Sequence, residues 1–170
     1  MKSLIPKVYF DANQAQEAHD TLGANCGPGA IAGMCLTTPE KAVAAIGQGF
    51  LDKGYTTENM LRRGLQNLNV RYYRVKPCLP GYGICRVNWR GPWSTSKNPI
   101  DALRHSHWIG AMTKGLPQAM IFDINAISVG GWIPFIEWKN SLVPWLLKES
   151  EPEANGEWYI HETLELILPN

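Results

Sequence analysis

The chain has 170 residues, of which 45% are hydrophobic and 18% are charged, and its formal net charge is +1. These values fit a single globular domain over residues 1–170 and give no global attraction to nucleic acid or to an anionic membrane. No signal-peptide core and no run of eighteen apolar residues is present, so we expect a cytoplasmic protein that does not associate with membranes. In that compartment the four cysteines are expected to be reduced thiols.

Helical patterns dominate the first seventy residues. Helices are predicted over residues 12–19, 30–36, 39–46 and 57–68. Thr38 fits as the N-cap of the third of these helices, and Pro39 fits its first position.

Strand patterns dominate the second half of the chain. Strands are predicted over residues 70–75, 108–112, 119–124 and 157–168, with a helix broken near Pro144 over residues 134–147. Residues 76–98 are rich in Pro, Gly and Trp and predict a long loop with one short strand near 84–89. Helices early and antiparallel strands late predict the α+β class.

Cys26 is the strongest candidate for a reactive residue. It lies in the glycine-rich segment 21–30, directly before the predicted helix 30–36. The positive end of a helix dipole and unpaired backbone N–H groups stabilise a thiolate. The small neighbour Gly27 leaves room for a substrate carbonyl, whose developing oxyanion the Cys26 N–H can bind. A small buried cysteine is the alternative interpretation, and Cys35 fits it better.

A cysteine nucleophile needs a base, and two histidines are candidates. His107 directly precedes the strand 108–112, which fixes its position, and we prefer it to His105 two residues earlier. Asp123 and Asn125 follow on one face of the neighbouring predicted strand, and either could orient the histidine ring. Arg104 is an alternative, purely structural partner for Asp123. The order along the chain is then Cys, His, Asp.

These motifs resemble a known superfamily. The segment from Asn25 to Ala30 resembles the nucleophile segment of papain-like cysteine peptidases, and most closely that of bacteriocin-leader-type peptidases. The residues from His107 to Ala111 resemble their histidine strand, and those from Phe122 to Asn125 resemble the strand carrying their Asp or Asn. The resemblance implies a papain-like fold, a helical half carrying the nucleophile against an antiparallel sheet, and a substrate cleft between them.

The resemblance also implies a glutamine six residues before the nucleophile, as an oxyanion donor. Asp20 occupies that position here and is a poor donor. Gln16 and Asn25 are the nearby side chains that could replace it. We further expect Gly27 and a set of tryptophans to line the cleft, namely Trp89, Trp93, Trp108 and Trp132.

The expected activity is hydrolysis of a peptide, isopeptide or amide bond in a protein or peptide substrate, without metal or organic cofactor. A deamidase or acyltransferase with the same thiol remains open, as does a papain-like domain that only binds or inhibits a partner. Two further interpretations are less favoured. A zinc site could use Cys78, Cys85, His105 and His107, although the cysteine spacing is wide. The basic and aromatic residues 86–93, with Lys97 and Arg104, could stack on nucleic acid bases.

Overall fold

Five helices form one layer of the molecule in the computed structural model, which describes residues 5–22 and 25–167. Gly23 and Ala24 of the predicted glycine-rich turn and Leu168 of the last predicted strand lie outside the described residues. The helices are α1 (Ala12–Leu22), α2 (Cys26–Met34), α3 (Pro39–Ile46), α4 (Gln48–Lys53) and α5 (Glu58–Asn67). As predicted, Thr38 caps α3, where its hydroxyl accepts the Lys41 N–H, and Pro39 begins the helix.

The second layer is a six-stranded antiparallel sheet in the order β1-β6-β2-β3-β4-β5. Its strands are β1 (Arg71–Val75), β2 (Tyr82–Trp89), β3 (Ser106–Met112), β4 (Met120–Phe122), β5 (Trp132–Pro134) and β6 (Trp158–Ile167). Five helices come first along the chain and the antiparallel strands follow. This order confirms the mixed helical and sheet architecture that the sequence predicted.

The central strands β2, β3 and β4 are buried on both faces of the sheet. Ile84, Trp108 and Phe122 pack against α2, α3 and α5 in one core. Cys85, Ile109 and other residues of the opposite face form a second core with the C-terminal helical segment. That segment consists of α7 (Phe135–Glu137), a π-helical turn over residues 138–142, and α8 (Val143–Ser150).

The short strand predicted near residues 84–89 is confirmed, but it begins two residues earlier, at Tyr82, and belongs to the sheet and not to a loop. β2 occupies the middle of the sheet there, and seven of its eight residues are buried. A strand that is covered on both faces shows no alternation of apolar and polar residues. Without that alternation, the Gly, Arg and Asn residues of β2 resembled the sequence of a loop. The polar groups are satisfied by α6 (Pro99–Arg104), since Asn88 Nδ2 donates to Ala102 O and Arg86 Nη2 to Leu103 O.

The predicted strand 119–124 is too long. β4 ends at Phe122, and Asp123 instead caps a 3-10 helix over Ile124–Val129. An aspartate side chain that accepts the N–H two residues later offers the backbone an alternative to strand pairing. Asp123 and Asn125 therefore do not share a strand face. Within residues 5–22 and 25–167, no helix is both long and apolar enough to cross a membrane.

Candidate active site

The thiol of Cys26 lies at the first position of α2, four residues earlier than the predicted start of this helix. Asn25 is the N-cap, but its side chain makes no capping bond. Its Nδ2 donates instead to Ala15 O of α1 at 3.2 Å. The N–H groups of a first helical turn have no intrahelical acceptor. The N-terminus of α2 therefore presents donors and a positive partial charge beside the thiol.

Gly27 allows α2 to approach the segment before α5. A Cβ built at Gly27 would overlap the side chain of Thr56, which is itself buried. The predicted role of Gly27 was room for a substrate. Its observed role is close packing that fixes the start of α2.

β3 brings His107 and the backbone of Trp108 to Cys26. β4 ends opposite Gly110, so the first half of β3 has no strand on that side. His107 and the backbone of Trp108 are polar groups that act on the Cys26 sulfur, and both lower the pKa of that thiol. The N-terminus of α2 thus docks at the open edge of β3.

His107 is held from its other side by Asp123. The Nε2–H of His107 donates to Asp123 Oδ2 at 2.8 Å, and both side chains are buried. With Nε2 engaged, Nδ1 is the ring nitrogen left to exchange a proton with Cys26. Trp89 stacks on the imidazole with a ring-centroid distance of 6.1 Å. The structure therefore places His107 between Asp123, to which it is hydrogen-bonded, and the thiol of Cys26.

Four donors surround the carboxylate of Asp123. Oδ2 accepts from His107 and from Trp138 Nε1 at 2.9 Å, while Oδ1 accepts from the Asn125 backbone N–H at 3.0 Å and its Nδ2 at 2.9 Å. Asn125 therefore supports Asp123 and does not contact the histidine in its place. Fully satisfied, a buried carboxylate stays ionised and holds a neighbouring imidazole in one orientation.

These contacts shift the three pKa values in the directions that a thiolate–imidazolium pair needs. Burial would raise the pKa of Cys26, but the hydrogen bond and charge of His107 and the Trp108 N–H hold it below its usual value. Burial would lower the pKa of His107, but Asp123 and Cys26 raise it to about 10. The pKa of Asp123 is lowered, because His107, Trp138 and Asn125 outweigh its burial.

The other buried thiols show the opposite shift. Burial raises the pKa of Cys35 to about 12, and it also raises that of Cys85. Neither has a hydrogen-bonded partner that would stabilise its thiolate. Burial alone therefore does not account for the environment of Cys26.

A groove of about 730 Å³ opens over Cys26. Trp108, Tyr55 and Leu103 contribute apolar surface to it, and the charged side chains at its wall are Glu58, Arg86 and Arg104. A groove of this size and mixed lining accommodates several residues of an extended peptide or a comparably sized ligand.

The side chains proposed as oxyanion donors lie elsewhere. Gln16 and Asp20 are exposed on α1, where Gln16 Nε2 donates to Asp20 Oδ1 at 2.7 Å. Gln16, Asn25 and Asn125 line a separate groove of about 470 Å³ between α1 and α8. None of the four lines the groove that contains Cys26. Backbone N–H groups of α2 are therefore the donors that the structure offers to an oxyanion.

Of the four tryptophans expected in the cleft, Trp108 lines the groove over Cys26. Trp89 is buried behind His107, and Trp93 donates from Nε1 to Trp89 O. Trp132 packs edge-on against Phe122 in the core. The expectation is wrong for these three, because their rings pack within the protein.

His105 is not positioned to act on Cys26. Its ring stacks on Trp93 at 3.6 Å, and its Nδ1 contacts Glu151 Oε2 at 2.7 Å. Among the residues that the structure describes, no three His, Cys, Asp or Glu side chains are grouped to hold a metal ion. Within the basic and aromatic stretch, Arg86 and Trp89 are buried, so these two side chains are not available to stack on bases.

Sequence reasoning missed two residues of the site. Trp138 lies nine residues after the 3-10 helix, in a segment whose sequence mainly indicates core-packing aromatic residues. In the structure it donates a hydrogen bond to Asp123. Arg86 was assigned to the short strand near residues 84–89 and to the basic and aromatic stretch, and its burial next to the nucleophile groove has no sequence signature. No model of a known protein family matches the chain, and no curated protein is significantly similar to it.

Proposed function

We propose that the protein is a cysteine hydrolase that cleaves an amide bond through Cys26, His107 and Asp123. The observation that carries the proposal is the position of His107, which is hydrogen-bonded to Asp123 on one side and acts on the Cys26 thiol on the other, at a helix N-terminus and beside a groove. Nucleophile, base and orienting acid in mutual contact are the arrangement of thiol-dependent acyl transfer.

In the proposed reaction the Cys26 thiolate attacks the carbonyl carbon of the substrate. Backbone N–H groups at the start of α2 stabilise the oxyanion of the tetrahedral intermediate. The His107 imidazolium then gives its proton to the leaving amine as the C–N bond breaks, which leaves a thioester on Cys26. Neutral His107 next takes a proton from water, and hydroxide attack on the thioester releases the carboxylate product and restores the thiolate.

We further propose that the fold is papain-like. Three features support this assignment: the order Cys, His, Asp along the chain, the nucleophile at the start of a buried helix, and the histidine at the first half of a sheet strand. The antiparallel sheet packed against the helices of the first half is consistent with the same assignment.

A generic acyl donor tests the nucleophile without knowledge of the natural substrate. A nitrophenyl ester should acylate the protein at Cys26, as located by peptide mass spectrometry. Cys26→Ala should abolish this modification, and Cys35→Ala is the matched control that should retain it. Acylation that persists in Cys26→Ala, or a wild-type protein that is not acylated, would contradict the proposal.

Products from a pool of peptides then identify the reaction. Backbone cleavage that depends on Cys26 supports a peptidase. A glutamine side chain converted to glutamate without cleavage would identify a deamidase, and joining of two peptides would identify an acyltransferase. Acylation of Cys26 without any of these products would favour a domain that binds its partner.

A further inference from the structure

We propose that Arg86 binds a carboxylate of the substrate, so that the protein selects substrates with an acidic group close to the scissile bond. This inference rests on the proposed function for the meaning of "substrate", but the binding site itself is tested separately below. Arg86 lies on β2 and lines the same groove as Cys26.

The guanidinium is fixed in place from several sides. Its Nε donates to Ser106 Oγ at 3.0 Å, and its Nη2 donates to Leu103 O at 2.5 Å. The face of the group lies 5.5 Å from the centre of the Trp108 ring. Because these contacts hold the side chain, little conformational entropy remains to be lost when a ligand binds.

Arg86 forms no direct ion pair among the described residues, although Glu162 lies opposite it on β6 and attracts its charge from a distance. The side chain is 8% exposed, and the carboxylates of the described ion pairs bind Arg62, Arg74, His105 and His107 instead. Nη1 donates to no described residue, and it is not one of the fully buried polar atoms that lack a partner, so it keeps some access to solvent. A buried guanidinium without a carboxylate in direct contact is costly, so a ligand carboxylate would supply the contact that Glu162 does not make.

The charges around the groove favour an anionic ligand. Glu58 is the acidic residue of the groove wall, and it is neutralised by a direct ion pair with Arg62. Arg104 adds an exposed positive charge on the same wall as Arg86. One fixed guanidinium edge matches one monoanionic carboxylate in both charge and geometry. That carboxylate belongs either to an acidic side chain or to a peptide C-terminus.

Alkylation of Cys26 provides the first test, since iodoacetate carries a carboxylate and iodoacetamide does not. Relative to a free small thiol, Cys26 should favour iodoacetate over iodoacetamide by about tenfold, the scale of one hydrogen bond to a charged group. Arg86→Gln should remove this preference, so the iodoacetate rate should fall about tenfold more than the iodoacetamide rate. Arg104→Gln is the control, because an exposed guanidinium in the same groove should change the preference far less. A wild-type protein without the preference overturns the proposal whether or not the variant folds.

Direct binding provides the second test and does not need a reactive thiol. Cys26→Ala protein is titrated by calorimetry with acetyl-Gly-Glu-Gly-amide, with acetyl-Gly-Gln-Gly as the free acid, and with acetyl-Gly-Gln-Gly-amide. Stronger binding of the first identifies a side-chain carboxylate, and stronger binding of the second identifies a C-terminal one. Adding Arg86→Gln should weaken the preferred peptide about tenfold towards the neutral peptide.

The two tests separate the proposals. An unreactive Cys26 with Arg86-dependent carboxylate binding would reject the hydrolase and keep the carboxylate site. A reactive Cys26 with equal binding of all three peptides would keep the hydrolase and reject the carboxylate site. A fall of both alkylation rates in Arg86→Gln by the same factor would also reject it, because Arg86 would then act on the thiolate itself.

Discussion

Asp123→Asn separates the role of the buried carboxylate charge from the shape of the side chain. An asparagine has one acceptor oxygen where the aspartate has two, yet four donors converge on Asp123. If the amide oxygen faces His107 and Trp138, the amide NH₂ faces the backbone N–H and the side chain of Asn125. Rotation of the Asn125 amide relieves only one of these clashes, because the backbone N–H cannot turn away.

An orphaned buried N–H costs about 1–3 kcal/mol, so the free energy of unfolding should fall by at least that amount. The variant also removes the charge that raises the pKa of His107, and the imidazolium should become neutral at a lower pH. Loss of the imidazolium charge removes the stabilisation of the Cys26 thiolate. The inflection in the pH profile of the Cys26 alkylation rate should therefore move to higher pH.

Urea unfolding and the pH profile of iodoacetamide labelling measure the two effects. Asp52→Asn is the matched control, because Asp52 is exposed and accepts one hydrogen bond from Gln48. Its free energy of unfolding should stay within about 0.5 kcal/mol of the wild-type value. An Asp123→Asn protein with wild-type stability and an unchanged labelling profile would refute the assignment of Asp123.

Three further predictions follow from other contacts. His107→Ala should abolish rapid labelling of Cys26 below pH 7, whereas His105→Ala should retain it, as measured by mass spectrometry of the labelled peptides. The reverse ranking of the two variants would show that His105 is the base. Asp20→Gln should change the rate at which a nitrophenyl ester acylates Cys26 by no more than about twofold, because Asp20 is exposed on α1. A rate increase of about 10² to 10³, typical of a new oxyanion donor, would show that α1 reaches the thiol. Burial and the neighbouring Glu58 raise the pKa of Glu162 from 4.5 to about 7, against the opposing effect of Arg62. The stability that Glu162 contributes is therefore full below pH 4.5 and is lost as the pH rises through 7. Urea unfolding at pH 4.5 and pH 8 should show this loss in the wild type and a smaller one in Glu162→Gln; an equal loss in both would place its origin elsewhere.

Sequence patterns identified the local elements where one face of an element is buried and the other is solvated. The N-cap at Thr38 and the strand after His107 follow from residue types at fixed positions, and the structure has both. β2 was predicted only as a short strand within a long loop, because burial on both faces removes the alternation on which strand prediction depends.

The candidate site shows the same division between local and long-range information. Cys26 and His107 could be proposed from their own neighbours, since a helix start and a strand start are local signals. Trp138 contacts Asp123, which lies 15 residues earlier in the sequence. Arg86 contacts Leu103, which lies 17 residues later. Such contacts depend on how the elements pack, which no pattern in a single sequence reports.

Selective alkylation at pH 6 tests the central claim, that Cys26 is a stabilised thiolate, most directly. An ordinary exposed thiol is ionised in only about one molecule in 300 at this pH. Brief exposure to iodoacetamide followed by peptide mass spectrometry should therefore label Cys26 well before exposed Cys78, with Cys35 and Cys85 unmodified. Labelling of Cys26 no faster than Cys78, with a rate that rises only above pH 8, would contradict the account.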